Sequence, residues 1–504
     1  MKINRQPIEL PKSLDECHQM IQRMAERIAW LEQRYFGSSK DRRDKYEGPT
    51  LFDEEFKEAE LSTKQAFEAA EKEVEAKAEK RRARAKQVRK SNRPEKYLYH
   101  GLREETRVVF PDGVNLDEYE IIGHDYTRKL HFQQAEAWVE CIDRPILRKK
   151  ADKDALKPEI IQAATPHAII GGNHVAADML SQLVVNKYSY HIPEYRQIKM
   201  LSEIGVTLPR STVNNWIHSV AQLLFPLYEV QCRAVKAQGY LQVDEVPWKI
   251  ADRKGKACRN GYAWQFRDVS AETRGTFFFY HRGSRGAEIV RTQLQNYQGV
   301  VQSDGYKAYL QFEYVPGVTT LACWAHVRRK FVDAQKSDPR AGEVVDYIAT
   351  LYALEENLKE AGATPEQVRQ DRQRYAVPIL KGIKLWMDLI LPTCTPKDPL
   401  YNAINYALSL WPRLTRYTEN GHYHIDSNPV ERGQRPSVLG RKNYLFSQDD
   451  NGAEDNATFY TFLVSCDILK VNPLDWLTHT LNRIRDDMTE QELNALLPYN
   501  YKAD

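Results

Sequence analysis

From Gly239 onward the hydrophobic pattern changes to short runs rich in Val, Tyr, Phe and Trp, two of them partly alternating with polar positions and the third a continuous aromatic run. GYLQVDEVPWKI, GYAWQFRDV and RGTFFFYHRG therefore read as three consecutive strands. SRGAEIVRTQLQ then shifts to helical spacing, GVVQSDGYKAYL returns to a strand, and VTTLACWAHVRRKF follows. A long helical region occupies about 330–420. This order, three strands followed by helix, strand, helix and strand, predicts a ribonuclease-H-like α/β core interrupted by a helical block.

Upstream the periods differ. Leu14, Ile21 and Ile28 share one heptad position, with Cys17, Met24 and Leu31 three residues later, the a/d seam of a coiled coil that predicts self-association. Residues 64–90 read as a long helix ending in KRRARAKQVRKSNR, with eight basic residues and no acid between Lys80 and Arg93. Such a run neutralises phosphates without reading sequence, so Arg81, Arg82, Arg84, Lys86, Arg89 and Lys90 are candidate contacts to a nucleic-acid backbone. Residues 97–150 read as a small β-rich unit, and 151–170 as an apolar connector punctuated by proline. In PEYRQIKMLSEIGVTLPRSTVNNWIHSVAQLL a helix is predicted over Glu194 to Glu203, closed by Gly205. A second helix follows, N-capped by Ser211. The pair reads as a helix-turn-helix presenting Arg210, Thr212, Asn214 and Asn215 to DNA.

Composition narrows the picture. The chain has 504 residues, 42% apolar and 28% charged, which predicts several folded units rather than one domain or a disordered chain. The net charge of +3 says little about nucleic acid; the local runs say more. Seven cysteines with no CxxC pair point to a reduced, cytosolic setting and away from a disulfide framework. No stretch approaches the ~20 apolar residues of a membrane span.

The candidate chemistry is acidic. Asp244 is predicted to end the strand YLQVD and Asp304 the strand VVQSD, first and fourth in the proposed core and hence side by side. Carboxylates so placed suit two divalent ions, Mg²⁺ or Mn²⁺, for in-line phosphoryl transfer. Glu245 alternates to the opposite face of its strand. A third acid is expected in IDSNPVERGQRPSVLGRKNYLF. There Pro429 fits the first turn of a helix, capped by Ser427 or Asn428, and Glu431 lies in that turn. Asp426 precedes the helix and is the alternative. Arg432, Arg435, Arg441 and Lys442 surround Glu431, so a salt-bridge role competes with a metal role. Upstream, Arg328, Arg329 and Lys330 form a second basic cluster.

These motifs, in order, resemble the IS66 family of transposases. The matching stretches are RYFGSSKDRR, NKYSYHIPEYRQIKMLSEIGVTLPRSTVNNWI, VDEVPW, QSDGYKAY, CWAHVRRKF, IATLYALE, DSNPVERGQRP, GRKNYLF and LLPYNY, spread over nearly the whole chain. The resemblance implies a DDE transposase with Asp244, Asp304 and Glu431 as its acid triad, the expected ligands of two Mg²⁺ or Mn²⁺ ions. It implies double-stranded DNA as substrate and target, a homo-oligomer of at least two copies, small accessory transposition proteins, and a bacterial cytoplasmic, nucleoid-associated setting. The implied organisation is a coiled-coil segment at 1–50, a charged helical linker at 51–96, the β-rich module at 97–170, and the helix-turn-helix unit at 171–235. The core follows in two parts, 236–335 and 421–470, split by helices at 336–420, with a helical tail at 471–504. One departure is visible: many relatives carry a cysteine zinc ribbon where this chain has YHGLREET and only Cys141 later. His100, His124 and His131 do not restore a common ligand spacing. That module is therefore expected to hold no zinc, and Cys323 and His326 of CWAH are expected to pack or hydrogen-bond beside the site. The alternative reading is a transposase-derived DNA-binding protein with an inactive core.

Overall fold

A computed structural model of the protein describes residues 138–139, 146–148, 160–162, 168–170, 175–251, 258–283 and 285–502. The heptad seam and the basic run from Lys80 to Arg93 lie outside them. Two short strands, β1 (Ile146–Arg148) and β2 (Ile160–Gln162), pair antiparallel with Ile146 opposite Gln162. The segment read as a connector thus contains a strand: its Ile-Ile-Gln run is β-branched. Helix α1 spans Ala177–Tyr188, α2 Glu194–Glu203 and α3 Arg210–Lys236. Helix α2 ends as expected. Gly205 adopts φ +90°, and Val206 N–H donates to Leu201 O while Gly205 N–H donates to Ser202 O, a Schellman closure. Helix α3 begins one residue before Ser211, which therefore lies in its first turn rather than at its cap.

The principal sheet has the order β5–β4–β3–β6–β7. Strands β3 (Tyr240–Ile250), β4 (Arg259–Asp268) and β5 (Thr276–His281) are antiparallel neighbours. Helix α4 (Ala287–Gln293) crosses to β6 (Gly299–Gln302), which runs parallel to β3, and β7 (Val318–Leu321) runs parallel to β6. The KAYL segment, read as strand, belongs to a 3₁₀ helix, Lys307–Tyr314. Its ring faces pack inward: Tyr309 and Phe312 join Leu241, Val243, Trp264, Phe266 and Val301 in the core under the sheet. Across β4 and β5, Phe266 stacks on Phe277 at 4.6 Å, the kind of cross-strand pair that fixes register.

The edge strand β5 is covered by helix α11 (Asp450–Leu469), whose hydroxyls meet its outward amides. Phe278 N–H donates to Thr461 Oγ1 at 2.8 Å, and Thr276 N–H to Ser465 Oγ at 3.1 Å. An exposed edge that would otherwise template another chain is thereby satisfied.

Between β7 and the returning helix α10 (Asn428–Tyr444) lie α5 (Trp324–Gln335), α6 (Ala341–Glu360), α7 (Pro365–Asp371), α8 (Val377–Ile390) and α9 (Pro399–Thr415). They enclose their own core around Trp324, Phe331, Ile348, Ile383, Met387 and Ile404. Buried Arg372 ties this block to the chain leading back to the sheet. It makes a two-pronged pair with Glu355 (2.8 and 2.6 Å) and donates to the carbonyls of Tyr417, Asn420 and Tyr423. A buried guanidinium with this many acceptors is a satisfied cation. Helices α12 (Pro473–Arg483) and α13 (Glu490–Leu496) follow α11.

Candidate functional site

Asp244 does not end its strand; β3 continues to Ile250. What ends near it is the pairing on one side. The parallel ladder to β6 stops at Gln242 opposite Gln302, while the antiparallel ladder to β4 continues past Asp244. The β6 flank therefore opens at Asp244, and Asp304 stands just past the end of β6. The carboxylate of Asp304 accepts from Tyr306 N–H at 2.9 Å, and the next amide, Gly305 N–H, donates to Tyr406 Oη at 3.1 Å.

Glu431 lies in the first turn of α10, brought to the open flank by a pair of buried glutamines. Gln242 Nε2 donates to Gln302 Oε1 (2.8 Å) and to Asp426 O (2.9 Å), while its Oε1 accepts from Val430 N–H (3.2 Å). Gln302 donates to His424 O at 2.8 Å and accepts from Tyr240 Oη at 2.7 Å. Arg267 of β4 donates to Pro429 O at 2.6 Å. Helix α10 also lies close on β4: a Cβ at Gly433 would fall 2.2 Å from Gln265 Nε2, so a larger residue there would push the helix or Gln265 away. Both glutamines stand two residues before an aspartate, in QVD and QSD; Gln242 and Asp244 share a face of β3, and Asp304 follows just after β6. Sequence reasoning passed over this doubled Q-x-D, although the signal was present.

The electrostatics fit convergence of the acids. Asp244 is pushed up to about 8, first by burial, then by the charges of Glu245, Asp304 and Glu431. Glu245 is also raised by burial, but Tyr309 and Arg285 oppose that rise. Tyr309 Oη donates to Glu245, Arg285 Nε does so at 2.6 Å, and the guanidinium of Arg285 sits 3.9 Å above the Tyr306 ring. Asp426 shapes the turn: its carboxylate accepts from Asn428 N–H at 3.0 Å and Tyr352 Oη at 2.8 Å. Ser427 is the N-cap of α10 by position, without a side-chain cap bond.

The basic side chains nearest Glu431 come from α5. Arg329 Nη2 lies 3.4 Å from Oε2 and His326 Nδ1 lies 3.5 Å from Oε1. Among its sequence neighbours, Arg432, Arg435 and Lys442 are exposed, and Arg441 donates to Pro247 O. Arg328, Arg329 and Lys330 are exposed on α5, and of these Arg329 reaches Glu431. On α3, Arg210, Asn214 and Asn215 are exposed and Thr212 is half-buried. The six basic residues from Arg81 to Lys90 lie outside the described residues.

Burial and the charges of nearby acids both raise Asp244, and a hard divalent ion held by oxygen donors would offset them. The structure thus defines a mixed α/β protein with a five-stranded mixed sheet and a helical block following its last strand. A family model described as the IS66 family of transposases matches residues 172–455. Three proteins of Sinorhizobium fredii (strain NBRC 101917 / NGR234), described as uncharacterized, are similar over long spans. The protein y4qI is 30% identical over 87% of this chain and 83% of its own. The protein y4jD is 30% identical over 68% and 70%, and y4hP is 26% identical over 67% and 64%. The chain belongs to the IS66 transposase family, whose members act on DNA.

Proposed function

We propose that the chain is a DDE transposase that cuts and joins DNA at the ends of its own insertion sequence, with Asp244, Asp304 and Glu431 as the acid triad. What carries this reading is the placement of Asp244 where the β6 ladder ends, beside Asp304 just past β6, with its carboxyl raised first by burial and then by the charges of Glu245, Asp304 and Glu431. The strand order with its two parallel members supports a ribonuclease-H-like core. In such a core the opened flank between the first and fourth strands is where the acids meet.

The triad would hold one or two Mg²⁺ or Mn²⁺ ions, which when bound supply an activated oxygen nucleophile and offset charge on the leaving oxygen. The chain's own residues do the rest. Gln242 and Gln302 fix the turn that delivers Glu431. Exposed Arg328, Lys330, Arg432, Arg435 and Lys442 contact phosphates independently of base identity and position the strand. In the first step water attacks a phosphodiester at the element end and the 3′ oxygen leaves as a 3′-OH. In the second, that hydroxyl attacks a target phosphodiester and displaces its 3′ oxygen. Neither step forms a bond between protein and DNA. Helices α2 and α3 would read the terminal repeats as a helix-turn-helix, with a homo-oligomer pairing the ends and small accessory proteins taking part.

Cleavage of end-containing DNA under Mg²⁺ titration tests the reading. Wild-type protein is expected to cut at the ends and join them, and Asp304→Asn to bind ends but not cut. Binding without metal-dependent cleavage by the wild type would instead identify a DNA-binding descendant with an inactive core. Cutting without regard to end sequence would identify a general nuclease.

A further inference from the structure

A second donor set touches the same cleft and differs from the triad in kind. Cys323, at the N-cap of α5, and His326, one turn on, project from the same helical face, which is what C-x-x-H spacing achieves. With Glu431 they place one sulfur, one nitrogen and one oxygen donor atom within 4.8 Å of one another. His326 Nδ1 and Glu431 Oε1 are buried without a hydrogen-bond partner and lie 3.5 Å apart. Buried polar atoms left unsatisfied in pairs call for an explanation. Cys323 Sγ is buried and accepts from Ser427 N–H at 3.2 Å, the type of outer bond that supports a metal-bound thiolate.

We propose that Cys323, His326 and Glu431 form a binding site for a soft divalent ion, Zn²⁺ or its substitutes Co²⁺ and Cd²⁺, which withdraws Glu431 from the acid triad. Sulfur and imidazole donors disfavour Mg²⁺ and favour Zn²⁺. In zinc sites donors stand ~2.0–2.3 Å from the ion, so three of them lie roughly 3.3–3.8 Å apart, and small side-chain rotations close the present spread. Coordination transfers the Cys323 thiol proton to solvent and oxidises nothing. Arg329 loses its partner at Glu431 and turns to solvent. Ion binding stands on this donor set alone. The inhibitory consequence rests on the transposase reading above.

The test is a Co²⁺ titration of the full chain in excess Mg²⁺ under reducing conditions, read by the near-ultraviolet sulfur-to-metal charge-transfer band. One equivalent is expected to produce the band and Zn²⁺ to abolish it. His326→Asn and Glu431→Gln are expected to weaken Co²⁺ binding by more than about tenfold. Cys323→Ser should abolish the band; because that side chain is buried, its fold is checked by circular dichroism, and the other two variants carry the test if it unfolds. Zn²⁺ is expected to suppress Mg²⁺-dependent cleavage reversibly, with recovery on chelation. Asp304→Asn should keep the band while losing cleavage, so cleavage by that variant bears on the triad alone and loss of the wild-type band on this site alone. No band, or a band that survives both His326→Asn and Glu431→Gln, overturns the proposal and leaves His326 as an ion-pair partner of Glu431.

Discussion

The two faces of β3 carry carboxylates in adjacent positions and treat them oppositely. On one face Glu245, its side chain 1% exposed, receives Arg285 and Tyr309. On the other, Asp244 has no such partner among the described residues, and burial first, then the charges of further acids, push it up to about 8. A buried carboxylate with a cation and a phenol is a structural element, whereas one facing like charges at an opened sheet flank is held at a cost in stability. On the proposed reading, the difference separates a residue that holds the fold from one placed for chemistry, and in VDE only strand alternation tells the two apart.

Several substitutions would break or sharpen this contrast. Asp244→Asn and Asp304→Asn are expected to lower end cleavage by on the order of 10²-fold or more while the melting transition stays cooperative. Near-normal cleavage by either would move the chemistry elsewhere. Metal-free stability gives a second measure of Asp244. Its carboxyl titrates near 3.8 when unfolded and about 8 when folded. Between those values the folded chain keeps a proton that the unfolded chain has released, so this group's contribution is present at low pH and declines as pH rises towards 8. Melting curves across that range should fall more steeply for wild type than for Asp244→Asn, and Mg²⁺ should reduce the gap. Parallel curves for the two proteins would contradict the perturbed carboxyl.

On the opposite face, Arg285→Met leaves Glu245 without its cation and is expected to cost about 1–3 kcal/mol, discounted because Arg285 is partly exposed. Denaturant unfolding of the double variant with Glu245→Gln should show recovery; simple additivity would mean the pair is not coupled. Gln242→Leu strips Val430 N–H and Asp426 O of partners and is expected to cost about 1–3 kcal/mol. It should also slow cleavage by shifting Glu431. Destabilisation with unaltered cleavage would show that the glutamine pair serves only the fold. The smallest effect is expected at the covered edge, where Ser465→Ala removes the acceptor of Thr276 N–H for about 1 kcal/mol, read from the same unfolding curves.

Much of the core was legible because its signals are local. Runs rich in Val, Tyr, Phe and Trp marked β3, β4 and β5, turn chemistry placed Gly205, and the Asn-Pro start marked α10. Errors fell where local pattern meets long-range pairing. YLQVD reads as a strand ending at Asp244, yet Val246, Trp248 and Ile250 continue the apolar positions and β4 carries the ladder on to Ile250. KAYL reads as part of a strand but belongs to a 3₁₀ helix whose Tyr309 and Phe312 pack into the core. Among the described residues the nearest basic side chains to Glu431 are in α5, about a hundred positions away, not in its own RGQR neighbourhood.

The sequence by itself determined which residues were available: acids after apolar strands, a helix start ahead of Glu431, cations on α5 and α10, and the ordered motifs that place the chain in its family. Tertiary structure alone decided which of them meet. Helical and strand periods are written within a few residues, so one chain segment reveals them. The company a carboxylate keeps depends on which distant segments the sheet order and the Gln242–Gln302 pair bring together, and no local pattern encodes that distance.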